Sequence, residues 1–103
     1  MSETPKRLTW KRSDYFGIYA DSPNELLRYY VRLQGRQWIV EVFRTVETSG
    51  IRTVVPGDAA VDVDGHHDSE KIAKAVAEAY DAEPAHGPLD RMTRAIERGY
   101  DAV

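Results

Sequence analysis

There is no cysteine in this sequence, so disulfide staples, thiolate zinc sites and a cysteine nucleophile are excluded and packing alone must hold the fold. Long hydrophobic runs are missing too. No run of large apolar residues exceeds that of Trp38-Ile39-Val40, far short of the roughly 20 residues a membrane-spanning helix needs. Met1-Ser2-Glu3-Thr4-Pro5 shows no apolar stretch of signal-peptide type. The expectation is a cytoplasmic protein with no membrane partner. The seven glycines are scattered at turn-like positions instead of forming a phosphate-cradling cluster. No serine stands in a Gly-x-Ser-x-Gly elbow. The residues therefore suggest no catalytic set, no cofactor and no small-molecule substrate.

What is present suits one small domain. The chain has 103 residues, 42% of them hydrophobic, enough for one core and too few for two. A formal charge of −3 argues against a uniformly basic nucleic-acid binder. The total conceals an uneven distribution, however. Residues 1–52 carry 9 basic and 6 acidic groups, residues 53–90 carry 2 and 9, and residues 91–103 carry 3 and 2, so a basic surface can coexist with an acidic middle.

Periodicity predicts the elements. Leu8 and Trp10 alternate with Thr9 and Lys11 as in a strand, Ser13-Asp14 is turn chemistry, and 16–20 reads as the returning strand with Trp10 opposite Gly17. Residues 23–34 support two readings. Ser22-Pro23-Asn24-Glu25 has the cap, first-turn proline and glutamate of a helix start. The alternative is a hairpin turning at Gln34-Gly35, which pairs Val31 with Trp38, Tyr29 with Val40, Leu27 with Val42 and Arg28 with Glu41. The β-prone run Tyr29-Tyr30-Val31 and the alternation through 37–44 favour the hairpin. A strand over 51–55 stops at Pro56-Gly57-Asp58, and Val61 and Val63 alternate with Asp62 and Asp64 in a short edge strand.

Two helices follow. Over 69–82, Ile72, Ala73, Val76, Ala77, Ala79 and Tyr80 gather on one arc, while Glu70, Lys71, Lys74, Glu78 and Asp81 fall on the other; Asp68 or Ser69 caps the start. After a Gly/Pro-rich linker at 83–88, residues 89–98 carry an apolar stripe of Leu89, Met92 and Ile96 opposite Arg91, Arg94 and Arg98, with Gly99 as a stop. The predicted fold is a single α+β domain over 1–103. It has a flexible N-terminus at 1–6, an antiparallel β-meander of four to five strands within 8–64, one amphipathic helix packed on it, and a short C-terminal helix.

Trp10, Gly17 and Tyr19, the stretch Tyr30-Val31-Arg32-Leu33-Gln34-Gly35-Arg36-Gln37-Trp38-Ile39-Val40 and the alanine-rich run 71–80 together resemble small uncharacterised β-meander-plus-helix proteins of actinobacteria and their phages. The resemblance covers 8–82 at the level of layout. It implies the fold and the hairpin, suggests a phage or prophage origin, and brings no activity.

Three surfaces are candidates for function. Asp62, Asp64, His66 and Asp68 have the donor types of a divalent-cation site and would underlie a small metal-dependent enzyme. Their spacing fails the EF-hand test, because alignment on Gly65 puts Ala60 in the first ligand position and Lys71 in the last. Acidic residues that keep a strand edge solvated and cap a helix explain them more simply. Lys6, Arg7, Lys11, Arg12, Arg28, Tyr30 and Arg32 interleave cations with an aromatic ring, as nucleic-acid binders do, but Glu41 opposes Arg28 and the acidic middle would repel a polyanion. The third surface is the second sheet face, with Leu26, Tyr30, Ile39 and Phe43, rimmed by Arg91, Arg94 and Arg98. It carries more apolar area than scattered singletons would, and either the last helix covers it or a protein partner or second copy docks there. Protein contact without enzymatic activity is the preferred reading, with nucleic-acid binding the alternative.

Overall fold

A computed structural model describes residues 8–13, 17–61, 66–67, 69–82 and 87–102. The chain forms strands β1 (Lys11–Ser13), β2 (Gly17–Asp21), β3 (Leu27–Gln34), β4 (Gln37–Thr48), β5 (Ile51–Val61) and β6 (His66–His67), then helices α1 (Glu70–Asp81) and α2 (Pro88–Asp101). The sheet is antiparallel in the order β1-β2-β3-β4-β5, and β6 also pairs with β4. Val42 pairs with Val61, while Ile39 and Trp38 pair with His66 and His67, so β5 and β6 follow one another along the same side of β4. The α+β meander expected from the sequence is the observed fold.

Residues 27–34 are strand. The helix signal at their start is nonetheless used locally. Ser22 Oγ accepts from the backbone N–H groups of Asn24 at 3.2 Å and Glu25 at 3.1 Å, as a cap would. The chain then enters β3, where eight residues find partners on β4. The hairpin register differs from the expected one: Leu27 pairs with Arg44, Tyr29 with Val42, Val31 with Val40 and Leu33 with Trp38, the turn falling at Gly35-Arg36. This two-residue offset leaves every side chain on its predicted face, because strands alternate with period two.

Three further expectations are corrected. Ser13, not Trp10, lies opposite Gly17. What bars a side chain at Gly17 is β3, since a Cβ would sit 2.5 Å from the Val31 carbonyl oxygen and φ is +80°. β5 does not stop at Pro56. Between the pairs Phe43/Ala59 and Thr45/Val54 it has four residues against one on β4, an irregularity that takes up Pro56 and Gly57 at the end of the sheet order, where proline is tolerated. Gly99 does not end α2 but lies inside it, buried against α1.

The core forms where α1 and α2 meet one face of the sheet. Tyr29, Val31, Val40 and Val42 pack with Ala73, Val76, Ala77 and Tyr80 of α1 and with Met92 and Ala95 of α2. Ser69 is the α1 cap, its Oγ accepting from Ile72 N–H at 3.1 Å. α2 lies along α1 on the helix side of the sheet and so does not cover the second sheet face.

Candidate functional site

Because Tyr29, Val31, Val40 and Val42 point into the core, the residues alternating with them on β3 and β4 face away from the helices. The register adds Tyr19 beside Tyr30, and places Arg28 beside Phe43 and Arg32 beside Ile39. Tyr30 stands at the centre of an aromatic row. Its ring centroid is 5.9 Å from that of Tyr19 and 5.3 Å from that of Phe43, the latter contact nearly perpendicular at 86°, an arrangement the ring quadrupoles favour. All three rings are half-buried.

The cations of this face are paired. Arg28 Nε donates to Asp21 at 2.6 Å and its Nη2 to the Arg52 carbonyl at 3.1 Å, while its guanidinium sits 4.9 Å over the Tyr19 ring. The Asp21 hydrogen bond outweighs burial and moves the Arg28 pKa further above its ordinary value. Arg32 Nε donates to Glu41 at 2.6 Å. The face thus combines aromatic surface with two internal ion pairs and no surplus charge from them.

Of the other predicted partner-binding residues, Leu26 is half exposed, Arg94 and Arg98 are exposed on α2, and Ile39 is only 7% exposed. Ile39 therefore offers little contact surface. Arg91 is no rim residue either: it is buried, donating to the Tyr80 carbonyl at 2.7 Å and to Glu25 at 2.6 Å, with its guanidinium 4.0 Å over the Tyr80 ring. Burial works against its charge, but the Glu25 bond and charge, with the neighbouring tyrosines, leave its pKa raised. Arg94 and Arg98 share the outer side of α2 with Asp90, Thr93 and Glu97 and do not rim the sheet face.

Among the nucleic-acid candidates, Lys11 and Arg12 are exposed on β1, and Lys6 and Arg7 lie outside the described residues. Asp62, Asp64 and Asp68 also lie outside them, and His66 is described only in its backbone. No group of three or more His, Asp or Glu placed to hold a metal occurs among the described residues.

Sequence reasoning missed a buried polar network. Ser22 Oγ donates to Asp81 Oδ1 at 2.5 Å, and Tyr29 Oη donates to the same oxygen at 2.8 Å. With the Arg91–Glu25 pair, these bonds fasten both helices to the β2–β3 connection. The signal available was Asp81 itself, an acid in the last turn of a helix, where the dipole disfavours it. Ser22, Tyr29 and Asp81 bond to one another across the β2–β3 connection, β3 and α1, and so hold those elements together.

This network has a pH consequence. Burial first, then the Asp81 charge and hydrogen bond, push the Tyr29 phenol above the ordinary tyrosine range; burial does the same to Tyr80 against the opposing Arg91 charge. A raised folded-state pKa means that the stabilisation is fully present below the unfolded value of about 10 and is lost as pH rises beyond it. The unfolding free energy from urea titrations should fall above about pH 10, by up to about 1.4 kcal/mol per pH unit for each phenol kept protonated. Tyr29→Phe should remove its share of that slope.

No protein-family model matches the chain, and no curated protein or solved structure matches it either. Among the described residues no helix is long and apolar enough to cross a membrane.

Proposed function

We propose that this is a non-enzymatic cytoplasmic binding protein that works by protein contact, using the helix-free sheet face to pair with a second copy of itself. The observation that carries this reading is the Tyr19, Tyr30 and Phe43 row flanked by the Asp21–Arg28 and Glu41–Arg32 pairs. Interfaces enrich aromatic residues and arginine and deplete unpaired charge at their centre. A face whose ions are already matched brings no net charge from them against its own copy. The same pairing leaves little for a polyanion to hold, which weighs against nucleic acid at Arg28, Tyr30 and Arg32.

Tyr30→Ala removes the central ring of the row. The expected result is at least about a tenfold rise in the dimer dissociation constant, as for an interface anchor, with a modest fall in unfolding temperature from the lost contacts to Tyr19 and Phe43. Unchanged association in Tyr30→Ala and in Phe43→Ala would overturn the assignment of this face.

A further inference from the structure

A second surface, on the helix side of the sheet beyond β1, has a different character. Trp10 and Trp38 line a groove of about 430 Å³ together with Lys11, Arg12, Glu70 and Lys74, a volume within the range of small-ligand sites. Glu70 is matched by Lys74 at 3.1 Å. Arg12, opposite Ile18 on the helix side of the sheet, is exposed and has no ion pair among the described residues, unlike Arg28, Arg32 and Arg91, while Lys11 pairs with Tyr19 and belongs to the opposite face. The groove therefore unites the only two tryptophans of the chain with a cation that has no ion pair among the described residues. The Trp10 indole N–H, moreover, is buried without an acceptor among the described residues.

We propose that this groove binds a nucleotide unit, its base against the indoles and its phosphate on Arg12. Indole faces stack on any base, and an exposed arginine holds phosphate oxygens. A neutral aromatic ligand would leave Arg12 unused, and inorganic phosphate would leave the indoles unused. A free mononucleotide and a nucleotide within a single strand present the same chemistry, and the site is independent of the helix-free face.

Both tryptophans lie in the groove, so intrinsic fluorescence reports on it directly, excited at the red edge of the indole band where nucleobases do not absorb. Adenosine 5′-monophosphate and a short oligothymidylate are titrated into the intact protein, beside adenosine and inorganic phosphate. The expected result is saturable quenching by the nucleotide probes, weaker quenching by adenosine and none by phosphate. Arg12→Ala, which alters one exposed side chain, should weaken binding roughly tenfold or more, and Lys11→Ala on the opposite face should leave it unchanged. Equal affinity per site for the two nucleotide probes identifies a free nucleotide as the natural form, and tighter oligonucleotide binding identifies a strand. Absence of saturable quenching by both, or full affinity in Arg12→Ala, overturns the proposal.

Discussion

Replacing Gly99 by alanine is expected to lower stability by about 2 kcal/mol, although alanine is the better helix former by about 1 kcal/mol. A Cβ at this position would lie 2.6 Å from Val76 Cγ2, 2.7 Å from Val76 N and 2.8 Å from Val76 Cα. Two of these atoms are backbone, so a rotamer change in Val76 cannot relieve the clash and α2 has to move off α1. That movement would disturb Met92 and Ala95, which belong to the same core. In a domain of this size the melting temperature should drop on the order of 10 °C, and Gly99→Val should lower it further. An alanine variant as stable as the native chain would show that the helices do not approach this closely.

Asp81→Ala should cost about 3 kcal/mol, because it strands the buried hydroxyls of Tyr29 and Ser22. Tyr29 is fully buried and Ser22 nearly so, and each donates to one carboxylate oxygen. Asp81→Asn, which keeps a carbonyl acceptor, should cost less. Denaturant unfolding of Asp81→Ala, Tyr29→Phe and the double variant should give strongly non-additive losses, since removing the phenol oxygen relieves part of what the missing carboxylate leaves unpaired. Additive losses would mean that the two groups act separately.

The fold was legible in the sequence wherever periodicity alone decides it. The apolar arc of α1 and the alternation of β3 and β4 placed Tyr29, Val31, Val40 and Val42 with Ala73, Val76, Ala77 and Tyr80, and they meet in the core. The register slipped by two residues because period-two patterning fixes the face and not the partner. Gly99 and Pro56 read as breakers because local propensity is blind to a helix crossing and to an irregular strand at the end of a sheet. The helix-free face was partly legible: Tyr30 and Phe43 are there, whereas Tyr19 was not counted and Ile39 is nearly buried. Asp81 and Arg91 were assigned to polar helix faces. Only the positions of Ser22, Tyr29 and Glu25 in space give those charges buried partners, and no one-dimensional pattern encodes that meeting.

The central claim is that the aromatic sheet face with its two internal ion pairs docks on a second copy. Sedimentation velocity of the native chain over a concentration series up to about 1 mM, where even a weak contact is populated, tests it most directly. The expected result is a species of twice the 11.7 kDa chain mass that grows with concentration and recedes in Tyr30→Ala. A single species of 11.7 kDa at every concentration would contradict the account.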